Sequence, residues 1–219
     1  MHAVGIVAAA GSGLRLGADL PKALVPLAGR PLVAWSVDAL RAGGVTEVVV
    51  AVPAAERAAF EAALPGVRLV DGGATRTASV RAALAAAQDL GDAVLVHDAA
   101  RPLTPPAVVA RVLAALADGA RAVVPVLPVV DTTVAVGPDG VVTGALPREQ
   151  LRRVQTPQGF DRATLVQAYD RLPADAELTD DAAVVHTFGI AVQTVAGDER
   201  AAKITVTHDL VLAEQQVRR

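Results

Sequence analysis

The sequence predicts an α/β fold: a doubly wound, mostly parallel sheet covered by helices on both faces, with a protruding β-hairpin arm. Three observations carry that expectation. Short Val- and Ala-rich runs alternate with Ala-rich stretches of helical spacing nearly throughout the chain. The apolar runs lack the strict alternation of a half-exposed strand, so both of their faces are expected to be buried, as in a parallel sheet. The rhythm breaks once, between residues 131 and 160, where two alternating runs flank Gly137-Pro138-Asp139-Gly140.

Taken in order, residues 4–9 form the first buried strand, and residues 31–42 a helix that opens at Pro31 and stops at Gly43-Gly44. Residues 48–52 are a second strand, 54–63 a helix ended by Pro65-Gly66, and 67–70 a short third strand. A helix over 77–88, a strand over 93–96, a helix over 106–117 and a strand over 122–126 continue the pattern. Residues 132–146 make the hairpin, and the arm as a whole extends to about residue 155. Helices over 163–171 and 179–187, a strand over 190–195 and a helix from about Asp209 complete the chain. With no internal repeat or linker, residues 1–219 are expected to form one domain with an arm.

Composition narrows the function. A chain with 53% hydrophobic residues buries a core, so disorder is excluded. Only 2% of residues are aromatic, too few for a base-stacking platform. The net charge of −3 argues against a general nucleic-acid or anionic-membrane surface. The absence of cysteine excludes a thiolate nucleophile or thiolate zinc site and fits a reducing cytoplasm. The first apolar run is short, and no Lys or Arg precedes it, unlike a secretion signal. Residues 122–130 hold two prolines and fall well short of the roughly 20 residues of a membrane span. A soluble protein with small-molecule substrates is expected.

Chemistry enters at "AAAGSGLRLGADLPK", residues 8–22. Its glycines resemble a dinucleotide turn, but Pro21 would stop the helix that such a turn requires. The next strand also ends in Val52-Pro53, where a ribose-binding carboxylate belongs. A Walker loop would place Lys before Ser or Thr at a helix start, whereas Lys22 follows a proline. A bare turn with two surface cations is the bland alternative. A loop that wraps a triphosphate, with Arg15 and Lys22 facing the charge that builds when an α–β phosphate bond breaks, accounts for both cations and the proline.

Other segments supply partners. In "DGGATRTASV", Gly72-Gly73 permit close backbone approach and Arg76 and Ser79 suit a base or ribose, unless the segment is a tight turn with a hydroxyl cap. "LVHDAARP" puts Asp98 at the carboxyl end of a buried strand, where open α/β sheets place ligands and where a carboxylate suits Mg²⁺ bridging phosphates. Arg101 suits a second anionic substrate or an ion pair with Asp98, and His97 reads as a packed histidine. Arg148, Arg152 and Arg153 form a cationic cluster after the hairpin, able to grip a phosphomonoester or to serve as a solvated face. Thr179 in "LTDDAA" is placed to cap a helix, and Lys203 is expected at the edge of a short strand.

Together "AAGSGLRLG…LPK", "VDGGATRTASV", "VHDAARP", "PVVDT", "VQTPQGF", "LTDDA" and "KITVTHDL" resemble the 2-C-methyl-D-erythritol 4-phosphate cytidylyltransferases of non-mevalonate isoprenoid synthesis, from residue 8 to beyond 210. The resemblance implies a Rossmann-like nucleotidyltransferase fold. It implies CTP as co-substrate, Mg²⁺ or another divalent cation, and attack of the acceptor phosphate on the α-phosphorus with loss of pyrophosphate. It makes Arg15 and Lys22 transition-state stabilisers, and Arg148 and Lys203 residues that position the substrates. Ala9, Ala10, Gly11, Gly13, Gly72, Ser79 and Asp98 would line the CTP site, with Asp98 the metal contact; Arg101, Thr132, Arg148, Thr156 and Thr179 would lie toward the acceptor. It further implies a homodimer joined through the hairpin arms, and the cytoplasm is the compartment expected. Ala23, Val130 and Ala201 stand where many members carry Gln, Lys or Arg, and Asn; none of these removes a charge assigned to the reaction. The alternatives are transfer to another polyol phosphate such as ribitol 5-phosphate, an inactive nucleotide-binding regulator and, least supported, a dehydrogenase.

Overall fold

The computed structural model describes residues 1–218 apart from 12–19, 174, 175 and 177. The parallel half of its main sheet consists of β1 (Ala3–Ala8), β4 (Glu47–Val52), β5 (Arg68–Asp71) and β6 (Ala93–Asp98), whose carboxyl ends therefore share one edge. The other half is built on β7 (Ala122–Pro128), which pairs in parallel with β12 (Gln193–Ala196) and antiparallel with β10 (Arg152–Val154) and β11 (Gln158–Asp161). β11 also pairs antiparallel with β6 and joins the two halves. The strand order is β10-β7-β11-β6-β1-β4-β5, with β12 also paired to β7.

The side-chain period of two sorts the strand residues between two cores. From β1, Val4 and Ile6 face one side and Ala3 and Val7 the other. The first side is covered by α3 (Arg76–Ala86), α5 (Arg162–Arg171) and α6 (Asp181–Thr187), through Val80, Leu84, Leu165, Tyr169, Val184 and Val185. The second is covered by α1 (Leu32–Ala42), α2 (Arg57–Ala63) and α4 (Pro106–Ala117), through Val37, Leu40, Phe60, Val109 and Val112. Gly43, which caps α1, lets that helix approach α4: a Cβ there would lie 2.3 Å from Cβ of Val109. A third cluster packs α7 (Thr207–Val217) on the ribbon of β2 (Pro26–Leu27) and β3 (Arg30–Pro31), with Ile204, Leu27 and Leu32 at its centre.

The helices and parallel strands follow the sequence pattern, and four details differ from it. The antiparallel segments β10 and β11 have no apolar run of their own: Arg152 and Arg153 of β10 are exposed, β11 buries Gln158 and Gly159 beside Phe160, and pairing with β7 and β6 makes both of them strands. The last strand lies at β12 rather than 190–195. Asp180, not Thr179, caps α6: its carboxylate accepts from the Ala183 amide at 2.8 Å, while Thr179 is exposed. Lys203 lies on no strand; a 3₁₀ turn (Glu199–Ala201) leads into an extended segment held by the Ile204 amide donating to the Ala100 carbonyl at 2.8 Å. The hairpin forms as expected, from β8 (Thr133–Val136) and β9 (Val142–Leu146). It is a separate two-stranded sheet on which Val134, Val136, Val142 and Leu146 are exposed.

Candidate active site

A cleft of about 590 Å³ opens at the carboxyl ends of the parallel strands. Its floor is the segment leaving β1, Ala8-Ala9-Ala10-Gly11, and the end of β6 at Asp98-Ala99-Ala100. The turn after β5 supplies Gly73, Ala74 and Thr75 and leads to Arg76 and Ser79 on α3. Lys22 and Ala23, on a 3₁₀ turn (Lys22–Leu24), and Lys203 with Thr205 complete the wall.

The wall is tight where the backbone must approach a ligand. A Cβ at Gly72 would lie 2.7 Å from Cβ of Ala10, and one at Gly73 would lie 2.4 Å from Cβ of Ala78, so neither position admits a side chain without displacing its neighbour. Thr75 caps α3 by accepting from the Ala78 amide at 3.1 Å. The Ser79 hydroxyl donates to the Thr75 carbonyl at 2.9 Å and accepts from the Gly73 amide at 3.1 Å. Ser79 therefore fastens the turn to the helix and also lines the cleft.

Asp98 is the electrostatic centre. Its Oδ1 accepts from Nε of Arg76 at 3.1 Å and its Oδ2 from Nζ of Lys203 at 2.8 Å. Burial opposes the charge on Asp98, but the two cations outweigh it and hold the carboxyl well below its usual range. Arg76 in turn reaches Asp181, whose Oδ2 accepts from Nη2 at 2.7 Å and whose Oδ1 accepts from the Tyr169 hydroxyl at 2.6 Å. Burial works against the Arg76 charge, and Asp181 and Asp98 more than restore it, so the guanidinium stays protonated.

His97 is packed, as its sequence context suggests. Its ring is fully buried and its Nδ1 lies 2.8 Å from the Thr156 hydroxyl, which accepts from the Asp98 amide at 3.1 Å. Burial lowers its pKa to about 4, so the imidazole is neutral at physiological pH.

The structure brings Ala9, Ala10, Gly11, Lys22, Ser79, Asp98 and Lys203 together around one cleft, with Gly72 directly behind Ala10. Arg15 and Gly13 lie outside the described residues. The acceptor-side candidates are dispersed. Thr156 is buried behind Asp98 rather than in the cleft lining. Arg101 ties the chain together, donating to the carbonyls of Ala201 at 2.7 Å and Val154 at 3.2 Å. Thr132 and Arg148 are exposed at the base of the arm, where Arg148 donates to the Val130 carbonyl at 2.9 Å, and Thr179 is exposed before α6. Asp181 had escaped the sequence reading. Its signal is helical spacing, since it shares a buried face with Val184 and Val185, three and four positions on.

Among the described residues, no three His, Cys, Asp or Glu side chains cluster as metal ligands, and no helix is long and apolar enough to cross a membrane.

The family model described as "IspD: 2-C-methyl-D-erythritol 4-phosphate cytidylyltransferase" matches residues 3–219. The 2-C-methyl-D-erythritol 4-phosphate cytidylyltransferase of Nocardia farcinica is 54% identical over 215 residues, covering 96% of this chain and 92% of its own. That of Saccharopolyspora erythraea is 50% identical over 222 residues, covering 98% of each. The crystal structure of the Thermus thermophilus enzyme of the same name superimposes with a TM-score of 0.81 at 40% identity, over 100% of both chains. The fold, the cleft at its strand ends and these matches over nearly the whole length agree: the chain belongs to the 2-C-methyl-D-erythritol 4-phosphate cytidylyltransferase family.

Proposed function

We propose that this protein transfers the cytidylyl group of CTP to 2-C-methyl-D-erythritol 4-phosphate, giving 4-diphosphocytidyl-2-C-methyl-D-erythritol and pyrophosphate. The observation that carries this reading is the cleft itself. In a chain of this family, closely packed glycine turns and two lysines, Lys22 and Lys203, converge at the carboxyl edge of a parallel sheet. An acceptor phosphate oxygen forms a bond to the α-phosphorus while the α–β bridging bond breaks, and pyrophosphate leaves with the electron pair. No covalent enzyme intermediate is required, so the chain contributes alignment and charge.

In this reading, the turns at 9–11 and 72–73 hold the nucleotide through backbone groups, with Ser79 keeping the second turn closed. Lys22, with Arg15, neutralises charge developing on the phosphates. Lys203 positions the substrates from the other wall, and Arg148 grips the acceptor phosphate. Arg148 stands on an arm whose exposed valines fit a second copy of the chain, so we assign it to a homodimer in which the arm of one subunit completes the other's site. The chain is then one catalytic domain with an arm.

A divalent cation fits Asp98. The Lys203 side chain is 42% exposed and can withdraw from Oδ2, leaving that oxygen for an ion while Arg76 keeps Oδ1. Mg²⁺ commonly binds through one or two carboxylates plus substrate phosphates, which suits Asp98, the one carboxylate among the described residues that line this cleft. When bound, the ion would add phosphate charge neutralisation to that of the lysines. The cytoplasm, where CTP is supplied, is the compartment we assign.

Pyrophosphate release by the purified protein with CTP and Mg²⁺ tests the proposal, with methylerythritol phosphate and ribitol 5-phosphate as rival acceptors. Release with the first alone is expected. Release with ribitol phosphate alone would keep the chemistry and change the acceptor, and silence with both would overturn the reading.

A further inference from the structure

From behind the cleft to its wall, five side chains are joined end to end: Tyr169 to Asp181, Asp181 to Arg76, Arg76 to Asp98, and Asp98 to Lys203. The chain starts on α5, passes through the first residue of α6 and the first residue of α3, and ends on the segment before α7. Only its last three members line the cleft. We propose that Asp181, held by Tyr169, is a positioning residue for nucleotide binding that acts through Arg76. The proposal rests on the assignment of the cleft to CTP.

The physical case begins with Arg76, a guanidinium between two carboxylates. Nη2 is committed to Asp181, so only Nε reaches Asp98, and one oxygen of Asp98 is left for Lys203 or for a cation carried in by the nucleotide. Without the Asp181 charge, the planar fork of Arg76 would be free to close on Asp98 with two parallel bonds, the preferred geometry of an arginine–carboxylate pair. Both Asp98 oxygens would then be occupied, and the guanidinium would turn away from the wall it now forms.

Asp181 is fully buried, and its two oxygens accept from Arg76 and Tyr169. A buried carboxylate is costly unless paired and hydrogen-bonded. It cannot turn without surrendering one of those bonds. The Tyr169 hydroxyl stays protonated because burial, reinforced by the Asp181 charge, raises its pKa, so it remains a donor. Tyr169 thus fixes the carboxylate, the carboxylate fixes Arg76, and Arg76 decides how much of Asp98 the cleft offers.

Asp181→Asn and Tyr169→Phe test this in the full chain. The readouts are CTP affinity by calorimetry with Mg²⁺, KM for each substrate, kcat and the unfolding midpoint. Asp181→Asn is expected to raise Kd and KM for CTP about tenfold, the scale of one lost charge-assisted hydrogen bond. That change should exceed any change in kcat or in the acceptor KM. Tyr169→Phe should shift the same two quantities about threefold. A wild-type protein that neither binds nor consumes CTP overturns the functional reading and this proposal with it. If the wild type does both and folded Asp181→Asn binds CTP as tightly, this proposal alone fails. Equal losses for both substrates, tracking a lower midpoint, would make Asp181 merely structural and also overturn it. Should Asp181→Asn not fold, Tyr169→Phe decides: unchanged CTP affinity refutes the relay.

Discussion

The cleft and the arm solve opposite problems. Around the cleft, Asp98, Arg76, Asp181 and Lys203 satisfy one another within a single chain, and three of the four come from helix starts or strand ends fixed by the core. Along the arm, Val134, Val136, Val142 and Leu146 are each more than 40% exposed, and among the described residues β8 and β9 pair only with each other. Charges set in a low-dielectric wall are prepared before the ligand arrives, so little reorganisation is needed when the reaction occurs. Apolar side chains in water are an unfinished surface, which the proposed homodimer would cover. The contrast separates residues that we assign to CTP from residues that we assign to assembly.

The largest effect is expected at Lys22. Replacing it with Ala should lower kcat by about two to three orders of magnitude, the usual scale for removing one group aimed at transition-state charge, with a much smaller rise in the CTP KM. Rapid-quench measurement of pyrophosphate formation checks this. An intact kcat with weakened CTP binding would move Lys22 from the reaction to mere binding.

The next effect concerns the wall behind Asp98. His97 has a folded pKa of about 4 against an ordinary value of 6.5, because burial penalises its charged form. Between those pH values the unfolded chain takes up a proton that the folded chain refuses. Stability is therefore full above about pH 6.5 and falls as the pH drops toward 4, by on the order of 3 kcal/mol in all. Asp98, Arg101 and Arg76 act on the ring electrostatically, and Asp98 stays ionised across this window. Urea denaturation at pH 7 and pH 5 should show the loss in the wild type and less of it in His97→Asn. A wild-type midpoint that does not move would contradict a neutral buried imidazole.

On the arm the expected effects are smaller. Arg148→Ala should raise the acceptor KM about tenfold, the cost of a lost bidentate phosphate contact, and leave the CTP KM nearly unchanged. A change confined to CTP would redraw the boundary between the two halves of the site. Val142→Asp should alter the stability of the isolated chain by no more than about 0.5 kcal/mol, because the side chain is already in water. The same change should shift a dimer toward monomer in sedimentation velocity. A large loss of the chain's own stability, or sedimentation identical to wild type, would mean that this face of the arm is not the joining surface.

What the sequence determined by itself was local. The run at β1 and the strand ending at Asp98 are apolar enough to demand burial on both faces. Gly72-Gly73 signal a close backbone approach, and Gly137-Pro138-Asp139-Gly140 between alternating runs announces the hairpin. Each is a property of a few consecutive residues, so composition and period suffice to read it. Lys22 and Asp98, next to such signals, were legible for the same reason, whereas Ala9, Ala10 and Gly11 were named only through the family resemblance.

Tertiary structure decided everything that depends on residues far apart. β10 and β11 become strands only because β7 and β6 offer them partners. Lys203, expected only at the edge of a short strand, is brought by a core built around Ile204 to a carboxylate 105 residues earlier in the chain. Asp181 lies another 105 residues from Arg76, and no local pattern announces an ion pair across that distance. Buried charge is tolerated only where a partner waits, and the folded sheet, rather than any stretch of sequence, sets where those partners stand.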